Sequence, residues 1–141
     1  MNGADIQRYI DADECLRDRV LGVFTRDQVP ERIPEGRCLV ANTLASTDQA
    51  AVGHWVALCQ IDGRRELFDS LARKRQAFRF DKRNHTAVQH ANSSRCGEHV
   101  LIFRSLRYRG FTLDTIVHKF YSSDLRENDS FANDVVWQRL K

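Results

Sequence analysis

The hydrophobic positions of this chain change period along its length. From residue 4 to residue 20 they recur at a helical interval, with Ile6 and Ile10 one turn apart and Leu16 and Val20 repeating the spacing. The stretch "TRDQVPERIPEGR", which holds both prolines, breaks that pattern and reads as a loop. Two near-continuous apolar runs follow, "CLVANTL" and "HWVALCQI", and their β-branched and apolar content predicts central strands. Asp62-Gly63 comes next, a dipeptide that favours a two-residue hairpin because both central residues of that turn need positive φ. "RRELFDS" is then the expected returning strand, and "AFRF" and "HTAVQ" are compatible with two further short strands.

After Cys96 the helical period returns. Val100, Leu101, Phe103 and Leu106 recur as on one helix face, and Gly110 is placed to stop the helix. Thr112 is predicted to cap "LDTIVHKFY", and Asp129 or Ser130 to cap a last helix through "FANDVVWQRL". A helix, then strands, then helices gives the α+β class, with a central mixed β-sheet packed against helices. No repeat, low-complexity tract or linker interrupts the 141 residues, which suit one domain spanning 1–141.

Composition narrows the class without naming a function. With 42% hydrophobic and 29% charged residues the chain is ordinary for a globular protein. No apolar run approaches the ~18 residues of a membrane helix, so no membrane partner is expected. The start "MNGADIQRYIDADE" is polar and acidic, unlike a secretory signal. Cys15, Cys38, Cys59 and Cys96 show no paired spacing, so they are read as free thiols of an intracellular, reducing compartment. The net charge of +3 is unevenly spread. Between positions 64 and 83, eight basic residues (Arg64, Arg65, Arg73, Lys74, Arg75, Arg79, Lys82, Arg83) face three acids. A solvated face is the plainer reading of such a run, and a footprint for a polyanion such as double-stranded DNA is the sharper one.

The candidate chemistry lies in four short stretches. In "SRCGEH" a turn-rich segment delivers Cys96 to the start of an apolar-faced helix. Unpaired N–H groups and a partial positive charge at a helix N-terminus both favour a thiolate. Gly97 leaves the sulfur without a neighbouring side chain, so a substrate backbone is expected to approach there. His54 opens an apolar strand, Asp69 ends one in "LFDS", and Gln89 closes "AVQ". Singly, each has a plainer explanation: a small buried cysteine, a core histidine, a strand-end aspartate and a surface amide.

Together, "GHW", "LFDS" and "VQHANSSRCG" resemble the adenovirus-type cysteine endopeptidases (adenain-like), whose active-site order is His, acid, Gln, Cys. The broader clan includes the proteases of ubiquitin-like proteins. "LGVF…P", "VANT" ahead of "GHW", and the tail "GFTLDTIVHKF…ENDSFANDVV" resemble the compact versions in Polinton-type elements and related DNA viruses. The resemblance therefore covers most of the chain. It implies the cysteine-protease fold of that clan, with Cys96 as nucleophile, His54 as its proton partner, Asp69 as the orienting acid and Gln89 as an oxyanion donor. It places Trp55 as a wall beside His54 and Gly97 beside the substrate. The implied substrates are capsid or core precursor proteins cleaved during virion maturation, in the virion and host nucleus if the gene is viral. No cofactor is needed for the chemistry. DNA and an activating peptide are the implied accessory partners, and the adenovirus type of disulfide-linked peptide is not expected, because residues 70 to 88 contain no cysteine. "FDS" is followed by Leu71-Ala72 where the family has an aromatic residue and glycine.

Two rivals remain open at this point. A deconjugating protease for a ubiquitin-like modifier would use the same site chemistry. A non-catalytic zinc module would draw on His85, His90, Cys96 and His99, which fall within fifteen residues. The zinc reading leaves His54 and Asp69 without a role.

Overall fold

The computed structural model describes residues 1–48 and 53–141. Helix α1 (Gly3–Ala12) starts at a reciprocal cap. The Asn2 side chain accepts from the Asp5 N–H, and the Asp5 carboxylate accepts from the Asn2 N–H. The helical period read over residues 4–20 does not give one helix. Asp13 breaks it, because its carboxylate accepts from the N–H groups of Cys15 and Leu16 and starts a separate turn, α2 (Glu14–Arg17). Val20 then opens strand β1 (Val20–Phe24) instead of ending a helix.

Strands β2 (Cys38–Asn42), β3 (Trp55–Ile61) and β4 (Arg64–Phe68) follow the predicted runs closely. Asp62 and Gly63 take φ values of 53° and 74°, as the hairpin turn requires. The Glu35 carboxylate accepts from both of their N–H groups. "AFRF" and "HTAVQ" form no strands; their place is taken by a two-residue β5 (Lys82–Arg83) beside Glu66 and Leu67. The sheet order is β1-β2-β3-β4-β5, parallel at both outer pairs and antiparallel within β2-β3-β4, which makes it mixed.

Both faces of the middle strands are covered, which is why their sequences read as continuous apolar runs. Cys38, Val40, Ala57, Cys59 and Phe68 point to the helical side, where Phe68 stacks on Phe103 at 4.4 Å. Leu39, Ala41, Val56, Leu58 and Leu67 point the other way, onto Ile33 and the half-buried Phe24, Val29 and Phe78. The free-thiol reading fails for two cysteines. Cys38 and Cys59 are register partners across β2 and β3, with Cα atoms 4.1 Å apart, and are joined as a disulfide. Such a pairing is set by strand register, which a separation of 21 residues does not reveal.

Helix α3 (Cys96–Tyr108) crosses β3 with Val100, Leu101 and Phe103 fully buried, and Gly110 follows it at a φ of 95°. Thr112 caps the short α4 (Leu113–Thr115), which runs into a π-turn over Ile116–Phe120. The last helix, α5 (Leu125–Leu140), starts earlier than expected. Asp124 caps it, and Asp129 and Ser130 lie inside it. Among the described residues no helix is long and apolar enough to cross a membrane.

Candidate active site

Strands β3 and β4, helix α3 and the loop holding Gln89 gather the four chemistry-bearing side chains: His54, Gln89 and Cys96 line one cleft, and Asp69 is buried behind His54. His54 sits at the mouth of β3, where its N–H donates to Thr43 Oγ1 at 3.1 Å and its carbonyl accepts from the Thr43 N–H at 3.0 Å. The residue before it has to be glycine. A Cβ on Gly53 would stand 1.8 Å from Asn42 Oδ1, which is itself engaged by the Leu44 N–H. Cys96 is the first residue of α3, whose start carries no side-chain cap. The sulfur instead accepts from the Trp55 N–H at 3.5 Å.

Asp69 follows the last residue of β4 and is fully buried. Its Oδ1 lies 2.5 Å from His54 Nε2 and accepts from the Leu71 N–H at 2.9 Å. Its Oδ2 accepts from the Arg73 N–H at 2.9 Å and from Gln76 Nε2 at 2.7 Å. Four donors thus surround one carboxylate. Burial alone would raise its pKa, but the hydrogen bonds from His54, Gln76 and the Arg73 N–H and the charge of His54 hold it well below the usual range. The backbone of Asp69 is fixed as well, by a reciprocal pair of hydrogen bonds with the Asn84 carboxamide.

With Nε2 held by Asp69, the second ring nitrogen is left for Cys96. Burial would discharge both His54 and Cys96. For His54 the hydrogen bonds to Asp69 and Cys96 outweigh burial, and its pKa rises above 6.5. For Cys96 the imidazole and the N–H groups of Trp55 and Gly97 outweigh it, and its pKa falls below 9.0. Both shifts favour an imidazolium–thiolate pair at neutral pH.

Gln89 is 1% exposed and faces the same cleft. Its Oε1 accepts from Ser70 Oγ at 2.5 Å, and its Nε2 donates to the Ser93 carbonyl at 2.9 Å. Because that carbonyl can only accept, the amide orientation is unique. The loop bearing Gln89 is gripped from three sides. The Ser70 carbonyl takes the N–H groups of Val88 and Gln89, Asn128 Nδ2 donates to the Val88 carbonyl at 3.0 Å, and Asp129 Oδ2 accepts from the His90 N–H at 3.2 Å.

The cleft has a volume of about 420 Å³. Trp55 lines it beside His54 and Cys96, with its Nε1 donating to the Met1 carbonyl at 3.2 Å. Gly97 does not open onto it. A Cβ there would meet Met1 Cβ at 3.2 Å and Ile6 Cδ1 at 3.3 Å, so this glycine serves the packing of α1 on α3. No protein-family model matches the chain, and no curated protein matches it.

The basic run divides on folding. Arg65 and Arg83 are buried, donating to the carbonyls of Glu31 and Asn84, and so leave the expected polyanion footprint. Lys82 is half-buried and paired with Asp114 at 3.2 Å. Arg64, Arg73, Lys74, Arg75 and Arg79 remain exposed. The four zinc candidates are not gathered, and among the described residues no three His, Cys, Asp or Glu side chains converge as ligands. His99 is sealed in the interior with both ring nitrogens engaged, by Tyr121 Oη at 3.0 Å and Asp129 Oδ1 at 2.8 Å, and burial lowers its pKa.

Sequence reasoning missed the supporting residues. Ser70 stood inside the quoted "LFDS" without a role, and Asp129 was expected to cap a helix. In the fold Asp129 binds both the His90 N–H and His99, and so ties the Gln89 loop to the helix that starts at Cys96. Polar residues inside a mostly apolar or helical run are the signal that was available.

Proposed function

We propose that the protein is a cysteine endopeptidase that cleaves structural precursor proteins of a virus or mobile element during particle maturation. The observation that carries this reading is the convergence of Cys96, His54 and Gln89 at one cleft, with Asp69 buried behind His54. The resemblance to the adenovirus-type endopeptidases supplies the substrate class and the setting, in virion and host nucleus. The Cys96 thiolate attacks the scissile carbonyl carbon, forming a C–S bond and an oxyanion. Gln89 Nε2 and the Cys96 N–H donate to that oxyanion. His54 gives its proton to the departing amine as the C–N bond breaks, leaving a thioester. Water, deprotonated by His54, then releases the acid and restores the thiolate. Asp69 keeps the Nε2 proton in place throughout. The exposed basic residues Arg64, Lys74, Arg75 and Arg79 suit double-stranded DNA as an accessory partner.

The test is the pH profile of thiol alkylation. Labelling of Cys96 by iodoacetamide is expected to persist well below pH 8, and in a His54→Ala variant to shift to the profile of an ordinary thiol near ~8.5. Cleavage should behave differently at the alkaline end. It needs the imidazolium, so kcat/KM should fall as His54 deprotonates while labelling does not. A wild-type labelling profile already centred near 8.5 would refute the activated pair. A glycine-ended vinyl sulfone should form its adduct at Cys96. Rapid turnover of modifier fusions, with none of precursor peptides, would favour a deconjugating enzyme instead.

Ser70 makes a second expectation. Its hydroxyl holds Gln89 Oε1, so Ser70→Ala removes one of the two anchors of the carboxamide and leaves it held only through Nε2 at Ser93. A drop in kcat on the order of 10- to 100-fold is expected, with KM unchanged and Cys96 alkylation unchanged. In a Gln89→Ala background the same substitution should cost nothing further. Additive losses in the double variant would make Ser70 a general structural residue.

A further inference from the structure

This inference rests on the cysteine-protease reading of the cleft and names what that cleft selects. Arg73 was first grouped with the basic run, but the fold sets it apart. Asp69 to Arg73 form a tight turn in which the Ala72 N–H donates to the Asp69 carbonyl at 2.9 Å and Ala72 takes a φ of 47°. That left-handed conformation is unfavourable for alanine and is held only because the turn is fixed at both ends. It brings the Arg73 N–H onto Asp69 Oδ2, while the Arg73 carbonyl accepts from Gln76 Nε2 at 2.9 Å. The backbone is pinned, and the side chain lines the catalytic cleft beside Leu71.

Two features make that guanidinium notable. Like most of the 22 Arg and Lys residues it holds no ion pair among the described residues, but among those residues it is the one Arg or Lys that lines the cleft. Among the described residues no Asp or Glu lines the cleft, so no carboxylate there pairs with it. Its place along the substrate follows from the triad. One oxygen of Asp69 holds the His54 ring and the other accepts from the Arg73 N–H, so the Arg73 backbone lies against the carboxylate that orients His54. His54 must reach the departing amine, whereas Gln89 faces the acyl oxygen. The chain that leaves with the new amine therefore passes Arg73.

We propose that Arg73 is a specificity residue that selects an acidic side chain, Asp or Glu, in the first few positions after the scissile bond. A planar fork meeting a carboxylate in a partly enclosed cleft gives charge-assisted hydrogen bonds that neither Asn nor Gln can match. Leu71 beside it suits an apolar neighbour of that acid.

The test uses the full chain and a peptide library randomised on both sides of the scissile bond, with products read by mass spectrometry. For wild type, kcat/KM is expected to be about 10-fold higher for Asp or Glu than for Asn or Gln at one leaving-side position, and this ratio should shrink with added salt. Arg73→Gln should bring the ratio to about one, and Arg73→Glu should invert it in favour of Lys or Arg. A wild type indifferent to charge, or an acidic preference that survives in Arg73→Gln, overturns the assignment while leaving the protease reading intact. A wild type that cleaves no member and forms no Cys96 adduct removes the protease reading, and the assignment goes with it.

Discussion

Replacing Cys96 by alanine is expected to reduce peptide cleavage to background while leaving the fold unchanged. The sulfur is the one atom lost, and its contacts are donors that water can serve once it is gone: the His54 ring and the N–H groups of Trp55 and Gly97. Deleting a nucleophile of this kind costs ~10⁶ in kcat, the remainder coming from binding and the oxyanion donors. Stability should barely move. Those partners lower the Cys96 pKa against the burial that would raise it, so the alanine variant removes a thiol whose ionised form is costly to bury, together with a small packing contribution. Cleavage assays paired with thermal melting check both halves. The same substitution at Cys15, the exposed free thiol, should leave cleavage as it is. Cleavage retained in Cys96→Ala would place the nucleophile elsewhere.

The parts of this fold that were legible in the sequence are those set by local chemistry. Asp62-Gly63 forms its turn because two adjacent residues tolerate positive φ, and Thr112 caps its helix through a neighbour three residues away. The apolar runs of β2 and β3 announced themselves because both faces are covered. Elements decided at a distance were not legible. Asp13 fits a helix pattern as well as it fits a cap, and only the docking of β1 beside β2 shows which role it takes. Strand β5 pairs two residues to β4 and carries no pattern of its own. The bond between Cys38 and Cys59 needs the register of two strands.

The same division runs through the site. Under the proposed protease reading, His54, Asp69, Gln89 and Cys96 stand out by type and order, because that chemistry restricts which residues can serve. Their supports are not so restricted. Asn128 and Asp129 reach the Gln89 loop across 40 and 39 positions, and many polar residues on a facing helix would do. Gly97 shows the opposite error, a glycine whose openness is used by Met1 and Ile6 and not by a substrate.

Asp69→Asn is expected to remove most activity and part of the stability, and the two losses should respond differently to pH. Each carboxylate oxygen receives two donors, so an amide must turn its NH₂ toward a pair of N–H groups whichever way it lies. If the NH₂ faces His54, the imidazole proton is driven to the nitrogen beside Cys96 and the ion pair collapses to a neutral one. In a comparable triad that error costs about 10⁴ in kcat. If it faces Arg73 and Gln76, the part-buried N–H of Arg73 is left without its partner, at a cost of about 1–3 kcal/mol. A fall in Tm of roughly 3–10 °C at pH 7 follows from a loss of that size. The pH dependence has a definite sign. The folded carboxyl is held well below its unfolded value near 3.8, so its contribution is complete above about pH 5 and is lost as pH falls toward the folded value. The Tm gap between wild type and Asp69→Asn should therefore be widest at about pH 5–6, where Asp69 is charged and His54 protonated, and narrow steadily below that. Melting curves from pH 7 to pH 2.5 read this directly. A gap that stays constant, or widens below about pH 5, would mean that Asp69 is not the charged anchor of His54.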